Sequence, residues 1–402
     1  MPVSSLEALA HAPGAAHAII PLSPSPYQNM LSLASRKEHP MRRFLFTAIL
    51  FIGALLGLIL AGCRNQPLTL SAYAPSPSGI IFYSEREGLG ALYYWDWQTH
   101  WIHRFTSPEE IISPYFFVDW SPIAKKLAYT CGHQSSMEIC VRDLDGHRWQ
   151  LTHNRWEDSQ PRWSPDGQEI VFLSRRDSGT QRAYRMKADG SQQRPLFSDP
   201  NILSSWVVWS PDGQWLAVPS VLTYEQTGLG QSYPTHLYLI KASTGEIFHE
   251  FLDAVAATWS PNGEELAYVH RRGQDYEIYI YSLKEGRTRR LLSVSHLWYV
   301  EWSPDGQWLA CVSGKLEPNY VDTRLFIIRP DGSGKRDLTP QGVLAILAGP
   351  GTWSPDSRYL LVDIQTQKLD VGIIDVITGD LLKVTNDEYF DEAHSWVWLA
   401  SK

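Results

Sequence analysis

The sequence lacks an excess of positive charge. Its 402 residues hold 35 Lys and Arg against 43 Asp and Glu, which gives a formal net charge of −8. Proteins that bind nucleic acid carry a basic surface for the phosphates. No polybasic run follows the one long apolar segment of the chain. The charge balance therefore predicts no nucleic-acid partner.

Motifs of hydrolases and metalloproteases are also missing. The chain contains neither Gly-x-Ser-x-Gly nor His-Glu-x-x-His. Residues 332–335, Gly-Ser-Gly-Lys, lack the earlier Gly and the following Ser or Thr of a phosphate-binding loop. The 13 histidines are scattered through turns and loops. We therefore expect no enzymatic activity, no cofactor and no metal site.

What the sequence has is a repeat. The string WSPDGQWLA occurs at residues 209–217 and again at 302–310, and related strings occur four more times. The six strings begin at Trp120, Trp163, Trp209, Trp259, Trp302 and Trp353. The steps between these positions are 43, 46, 50, 43 and 51 residues. A period in the forties is typical of a β-propeller, so the string is interpreted as a structural joint rather than a site.

Each string has the chemistry of a tight hairpin. Pro presets φ for the first corner of the turn, Asp suits the second, and Gly accepts the left-handed position that follows. Strand-like segments flank the turn, and a third strand, a second turn and a fourth strand come after it. Four antiparallel strands in roughly 45 residues make one propeller blade.

This pattern resembles the TolB-like β-propeller family, whose repeats carry Trp-Ser-Pro-Asp-Gly before a Leu-Ala-Phe-like strand. The resemblance covers residue 76 to the C-terminus and implies protein partners at the cell envelope. It implies a fold rather than one activity, because propellers serve as scaffolds, sensors and enzyme accessory domains. Ile123-Ala124 replaces Asp-Gly in the first string and Ser357 replaces Gly in the last, so looser turns are expected there.

The chain ends predict how the ring closes. Residues 76–83 look like a turn and a second strand without a Trp strand before them, and residues 395–400, SWVWLA, look like a first strand without a turn after it. Joining the two gives an all-β fold of seven four-stranded blades with no open edge. The alternative is six blades with a frayed end. Trp398 lies 45 residues after Trp353 and is assigned to the repeat position, where each Trp is expected to pack between blades.

The N-terminal part looks like a bacterial lipoprotein signal. Met41-Arg42-Arg43 precedes an apolar run at residues 44–60, and Ala61-Gly62-Cys63 follows. Cys63 would carry the lipid, which would place the protein outside the cytoplasm on a membrane. The alternative is a single transmembrane anchor. The expected organisation is a mis-annotated or disordered extension at 1–40, a signal peptide at 41–62, a tether at 63–75 and the propeller at 76–402.

Three of the four cysteines lie beyond the signal. Cys131 and Cys140 are expected at the ends of adjacent strands of one blade, where a disulfide is one of two alternatives because the register is unknown. Cys311 lies in a predicted strand, which indicates a buried thiol.

Long and varied loops on the face opposite the repeated turns predict a binding surface. Aromatic side chains beside carboxylates suit protein or glycan ligands there. The candidate residues are Trp156, Glu157, Asp158, Trp206, Tyr224, His296, Trp298, Tyr389 and Asp391. We therefore expect a lipid-anchored, non-enzymatic propeller that binds an envelope protein. The alternative is a propeller that binds or cleaves polysaccharide, which a cluster of His and carboxylates around the axis would favour.

Overall fold

A computed structural model describes residues 77–398, with gaps at 113–117, 133–136, 222–234 and at shorter stretches of one to three residues. Every regular element in the described part of the chain is a β-strand. Within those same residues, no helix is long and apolar enough to cross a membrane. The predicted signal, Cys63 and the tether lie outside the described residues.

The strands form seven antiparallel sheets, which confirms the seven-bladed propeller and excludes the six-bladed alternative. Blade 1 contains β1 (Gly79–Ser84), β2 (Ala91–Asp96), β3 (Ile102–Arg104) and the last strand, β29 (Asp391–Val397). Blade 2 contains β4 (Asp119–Ser121), β5 (Lys126–Cys131), β6 (Glu138–Asp143) and β7 (Arg148–Gln150). Blade 3 contains β8 (Asp158–Trp163), β9 (Glu169–Ser174), β10 (Arg182–Lys187) and β11 (Arg194–Pro195).

The remaining blades follow the same order. Blade 4 contains β12 (Leu203–Ser204), β13 (Val208–Trp209), β14 (Trp215–Val221), β15 (Thr235–Lys241) and β16 (Ile247–Leu252). Blade 5 contains β17 (Ala254–Trp259), β18 (Glu265–Arg272), β19 (Asp275–Ser282) and β20 (Arg287–Ser295). Blade 6 contains β21 (Leu297–Trp302), β22 (Leu309–Glu317), β23 (Tyr320–Ile328) and β24 (Arg336–Asp337). Blade 7 contains β25 (Ala345–Leu347), β26 (Tyr359–Gln365), β27 (Leu369–Asp375) and β28 (Leu381–Lys383).

The first strand of each blade lies innermost and the fourth outermost. The fourth strands are largely exposed, whereas the second and third strands are almost wholly buried. Because side chains of neighbouring blades interdigitate, each apolar cluster of the core is shared by two blades, as where Val312 of blade 6 packs with Val362 of blade 7.

The repeated turn is held by its own Ser and Asp. In blade 4 the Gly213 amide donates to the Ser210 carbonyl at 2.9 Å, and the Ser210 hydroxyl donates to Asp212 Oδ1 at 2.5 Å. Gly213 has φ +70°, the left-handed conformation that the sequence assigned to this position. The turn is therefore a self-contained joint between the first and second strands.

The two variant turns behave differently from each other. Ser357 keeps the hydrogen bond of a normal turn, from its amide to the Ser354 carbonyl at 2.9 Å, with φ +60°. The expectation of a looser turn is therefore wrong there. In blade 2 the positive φ falls on Lys125 rather than on Ala124, and the Ala124 amide donates to the Ser121 hydroxyl at 3.0 Å.

The repeated tryptophans pack between blades. Trp120, Trp163, Trp259, Trp302 and Trp353 are only 4–6% exposed. Several indoles also donate to the innermost strand of the preceding blade: Trp259 to the Val208 carbonyl and Trp353 to the Glu301 carbonyl. At these two positions the Trp therefore joins blades by a hydrogen bond as well as by packing.

The closing blade uses a different Trp from the one predicted. β29 pairs with β1, and Trp396 lies opposite Ile80, as Trp259 lies opposite Leu266 in blade 5. The Trp396 indole donates to the Thr352 carbonyl of blade 7 at 2.9 Å. Trp398 is half-buried, and its carbonyl accepts from the Trp120 indole at 2.7 Å. The assignment of Trp398 to the repeat position is wrong because no turn follows β29 to fix its register in the sequence.

Candidate functional site

Bulges interrupt the innermost strands of four blades. The extra residue is His394 in blade 1, Val255 in blade 5 and Trp298 in blade 6, and in blade 3 Gln160 and Pro161 together face one residue of β9. Gln160 is left-handed, with φ +53°. A bulge redirects a side chain and is common beside functional sites. The innermost strands line the propeller axis, so these bulges mark the axis as a candidate site.

The charge of Arg162 acts on residues of blades that are not its neighbours. It lies in β8 of blade 3, yet its guanidinium lowers the pKa of His394 in blade 1 and opposes the rise in the pKa of Tyr299 in blade 6. Two blades separate blade 3 from blade 6 by the shorter way round the ring. An interaction between them must cross the axis. Arg162 therefore places a positive charge at the centre of the propeller.

His394 is a neutral base beside that charge. Its side chain is buried, and its Nε2 has no hydrogen-bond partner among the described residues. Burial first, and then Arg162, lower its pKa to about 3. A cavity of about 10 Å³, enough for one water molecule, lies against His394, Thr352 and Asp363. Unpaired buried polar atoms are rare and often mark a ligand or water site.

Two acidic side chains line the same axis. The Glu301 carboxylate accepts from the Gly351 amide at 2.9 Å and the Thr352 amide at 3.0 Å. Asp119 accepts from the Trp163 amide at 2.6 Å and pairs with Arg162 at 3.5 Å. Burial raises the pKa of both Glu301 and Asp119, although these hydrogen bonds oppose the rise.

Tyr299 completes the axial cluster, which we define as Asp119, Gln160, Arg162, Tyr299, Glu301 and His394. Burial and the nearby Glu301 raise the pKa of Tyr299 well above its usual value, so its hydroxyl stays protonated. Like Gln160 Oε1, that hydroxyl has no partner of normal hydrogen-bond geometry among the described residues. A cation, a neutral base and hydroxyl and amide groups that lack partners together suit acid–base chemistry on an anionic substrate.

The sequence interpretation missed this cluster. Asp119, Arg162 and Glu301 each directly precede a repeated Trp, and the residue before the Trp is the one signal that the sequence offered. His394 and Gln160 depend on bulges, which the sequence pattern does not show.

Two predicted partner-binding residues are buried instead. Asp158 and Asp391 are 0% exposed, and each pairs with an arginine of its own blade: Asp158 with Arg176 at 2.7 Å and Asp391 with Arg86 at 3.3 Å. Each arginine also donates to the serine two residues before it, Ser174 or Ser84. As the first residues of innermost strands, these carboxylates tie strands together and offer no surface to a partner.

The other predicted binding residues remain separate. Trp156, Trp206, His296 and Tyr389 are half-buried, and Glu157 pairs with Arg175 at 3.0 Å. No hydrogen bond, ion pair or ring contact among the described residues joins one of these five to another. Tyr224 and the Trp298 side chain lie outside the described part of the structure.

The cysteines and the acidic turn of blade 2 lie away from the axis. Cys131 and Cys140 form a disulfide with 5.8 Å between their Cα atoms, and Cys311 is a buried thiol. Asp143, Asp145 and His147 are the one group of three metal-type ligands that come together in the described chain. They lie in an exposed turn whose Asp143 already pairs with His147, so they carry no functional assignment.

Comparisons with known proteins find enzymes, although no family model matches the chain. The uncharacterized peptidase YuxL of Bacillus subtilis is 29% identical over 160 residues, which cover 39% of this chain and 22% of that protein. Dipeptidyl-peptidase 5 of Porphyromonas gingivalis is 27% identical over 145 residues, which cover 33% of this chain and 21% of that protein. The chain thus spans only about a fifth of the length of these curated relatives.

Solved structures share the fold at low identity. An oligogalacturonate lyase in complex with manganese has a TM-score of 0.56 and 14% identity, covering 78% of this chain and 86% of that one. A puromycin-hydrolyzing peptidase of Mycobacterium tuberculosis has a TM-score of 0.55 and 13% identity, covering 78% of this chain and 53% of that one. TolB from Acinetobacter baumannii has a TM-score of 0.48 and 15% identity, covering 76% of this chain and 78% of that one.

These comparisons confirm one expectation and correct another. The chain has the expected propeller fold, with seven four-stranded blades whose first and second strands are joined by the repeated turn. The expectation of a non-enzymatic binding module is contradicted, because the two curated relatives described above are named peptidases. The axial cluster, which the sequence interpretation had not foreseen, is the feature of this chain that fits an enzyme.

Proposed function

We propose that this chain is the propeller of an enzyme and that the axial cluster is its reaction centre. The observation that carries the proposal is Arg162, which shifts the pKa of His394 and Tyr299 on blades that it can reach only across the axis. A guanidinium is a strong binder of carboxylates, since it donates two parallel hydrogen bonds. The substrate on this proposal is an anion with a carboxylate group.

The chemistry we propose is an elimination next to that carboxylate. His394 is neutral at pH 7, so a ring nitrogen is free to accept the proton α to the carboxylate. The electron pair of that C–H bond forms a carbon–carbon double bond while the β carbon–oxygen bond breaks, and the leaving oxygen takes a proton from water. Pairing of the substrate carboxylate with Arg162 would offset the charge that depresses the pKa of His394, which makes it a better base. An oligogalacturonate, named for the lyase of similar fold, is a substrate of this class.

Peptide hydrolysis is the second candidate, favoured by the curated relatives. The sequence holds no Gly-x-Ser-x-Gly, so a serine nucleophile of that type would have to come from another polypeptide segment. On that alternative the propeller would bind or admit the peptide, and Arg162 would hold its terminal carboxylate.

The experiment compares both substrate classes with the same variants. Purified protein is incubated with oligogalacturonate, and the unsaturated product is measured by its ultraviolet absorbance. In a separate assay it is incubated with chromogenic dipeptidyl amides. We expect activity on the oligouronide, and we expect Arg162→Gln and His394→Gln to lower it about 10²–10⁴-fold. The control is Arg289→Gln, an exposed arginine on the outermost strand β20. Two results would refute the axial centre. One is oligouronide cleavage that Arg162→Gln leaves unchanged, and the other is activity on the amides alone that neither substitution changes.

We also propose that the enzyme is a lipoprotein of the cell envelope, anchored through Cys63. Support comes from the residues alone: a basic start at Met41, an apolar run and small residues before the cysteine. Cys63→Ser should abolish incorporation of radiolabelled palmitate and leave an uncleaved precursor. Labelled lipid on the Cys63→Ser protein would rule out this anchor. An envelope protein or glycan partner over Trp156, Trp206, His296 and Tyr389 stays a prediction.

A further inference from the structure

A second cavity lies away from the axis, between blades 3 and 4. Its volume is about 200 Å³. It lies at the repeated turns, against Asp166, Glu169 and Arg185 of blade 3 and Trp209, Asp212 and Ser243 of blade 4. None of these residues belongs to the axial cluster, so the cavity is separate from the proposed reaction centre.

Blade 4, which forms one wall of the cavity, is irregular. Its innermost strand is split into β12 and β13, with the Ser205 amide donating to the Pro219 carbonyl between them. Trp209 is half-buried, whereas Trp163 at the same repeat position is 6% exposed. The Trp209 indole, like that of Trp163, has no partner among the described residues, whereas Trp259 and Trp353 bond to the preceding blade. The joint between blades 3 and 4 is therefore the one where the repeated Trp does not fill the interface.

Two residues of the cavity lining hold buried donors without an acceptor. Arg185 is 8% exposed and donates from its terminal nitrogens to the Ala242 carbonyl and to Glu169, but its Nε has no partner among the described residues. Trp209 Nε1 is likewise buried and unpaired there. An unpaired buried donor is unfavourable, so acceptor atoms of a ligand that reach these donors would be stabilised here.

Acceptors lie beside these donors. Asp166 and Asp212 each receive the hydroxyl of their turn serine on Oδ1, and no described residue bonds to either Oδ2. The Ser164 hydroxyl holds the pKa of Asp166 below its usual value, so the carboxylate stays charged. Glu169 pairs with both Arg185 and Lys187, so three carboxylates stand against two cations and the site as a whole is negative.

We propose that this cavity binds a neutral sugar unit. Each sugar hydroxyl both donates and accepts, which matches carboxylate oxygens interleaved with unpaired N–H groups. The half-exposed Trp209 ring offers a flat apolar surface for the C–H face of the sugar. The excess of carboxylates disfavours an anionic sugar, so this site and the axial centre would differ in the charge of their ligands. The proposal rests on the cavity and does not depend on the proposed function.

The test measures binding of glucose, galactose and N-acetylglucosamine by saturation-transfer difference NMR, with galacturonate as the anionic comparison. All proteins in this test carry Arg162→Gln, which removes the axial guanidinium that is proposed to bind the galacturonate carboxylate. We expect at least one neutral sugar to bind, and galacturonate to bind at least tenfold more weakly. Trp209→Phe keeps an aromatic ring but removes the donor, and should weaken sugar binding about fivefold to tenfold. Trp163→Phe is the matched control, since its indole is also unpaired but lines no part of this cavity, and it should bind as the wild type does.

A second variant keeps the test sharp if Trp209→Phe destabilises the fold. Asp212→Asn should preserve the turn, because Asn262 holds the same place in blade 5 and accepts the Ser260 hydroxyl at 2.6 Å. The Asp212→Asn substitution should weaken binding of the neutral sugar severalfold. It should also reduce the ratio between the affinities for the neutral sugar and for galacturonate. Absence of binding by all three neutral sugars, equal binding of galacturonate, or equal binding by the wild type and Asp212→Asn would each overturn the proposal. None of these outcomes bears on oligouronide cleavage at the axis.

Discussion

Gly213 shows how a single residue sets the repeated turn. Its φ of +70° lies in the left-handed region, and a Cβ built there would meet only Pro165 Cδ at an ordinary 3.8 Å. Gly213→Ala should therefore cost about 1–2 kcal/mol from backbone strain alone, without a clash. Urea denaturation measures the loss, and Gln214→Ala in the same turn is the control. Equal stability of Gly213→Ala and Gln214→Ala would show that the turn does not need glycine.

Titration of His394 makes the free energy of unfolding depend on pH in a definite direction. Its pKa in the folded protein is about 3, against 6.5 for an ordinary histidine. Between these two values the unfolded chain binds more protons than the folded one, so the free energy of unfolding rises with pH. The stabilising effect is complete above about pH 6.5 and is lost progressively as the pH falls towards 3.

The variant His394→Gln cannot titrate and should lose this dependence. We expect its unfolding free energy to fall less steeply than that of the wild type between pH 6.5 and 3, by up to one proton in slope. Urea denaturation at several pH values measures the difference. Parallel curves for the two proteins would mean that His394 is already protonated, or is solvent-accessible, in the native state.

Residues of the axis were harder to predict than residues of the turn. The turn depends on four neighbouring residues, so Ser210, Pro211, Asp212 and Gly213 were sufficient to predict it. The axial cluster depends on residues far apart in sequence that only ring closure brings together. Arg162 and Glu301 each directly precede a repeated Trp in the sequence. Their sequence neighbours did not show whether these side chains face the propeller axis or pack against a neighbouring blade.

At the scale of strands, a repeated set of Asp, Ser and Arg explains why Asp158 and Asp391, predicted as binding residues, are buried in ion pairs. Asp158 begins β8, and Ser174 and Arg176 end or follow β9, as Asp391 begins β29 and Ser84 and Arg86 end or follow β1. The same spacing of Ser-x-Arg in two blades was visible in the sequence. It would have indicated a structural ion pair, because a buried carboxylate needs a charged partner.

The register of β29 gives a prediction that separates two tryptophans. Trp396 is 1% exposed and donates to Thr352 of blade 7, so Trp396→Ala should cost about 3–5 kcal/mol. Trp398→Ala should cost clearly less, because Trp398 is half-buried and its hydrogen bond to Trp120 uses the backbone carbonyl, which alanine retains. Thermal unfolding of the two variants checks the order. A larger loss for Trp398→Ala would restore the register that the sequence pattern suggested.

At the scale of the whole molecule, the proposed reaction centre depends on the closed ring. Blade 1 combines strands from the two ends of the described chain, and it contributes His394 on β29. Arg162 and Tyr299 come from blades 3 and 6. The distance between these two residues across the axis is fixed only while every blade is in place. The stability of the ring and the geometry of the axial cluster are therefore linked.

Deletion of residues 395–402 tests that link. The truncated chain loses Trp396 and much of the pairing between β29 and β1, and β1 becomes an exposed edge that can pair with another molecule. We expect a loss of several kcal/mol in unfolding free energy, concentration-dependent association in sedimentation experiments and no cleavage of oligogalacturonate. Deletion of residues 399–402 alone leaves β29 whole and is the control, which should remain monomeric to the same extent as the full chain and keep its activity. A protein without residues 395–402 that melts with the full chain would show that β29 does not close the ring. One that is destabilised yet still cleaves the substrate would show that the reaction does not need His394 held opposite Arg162.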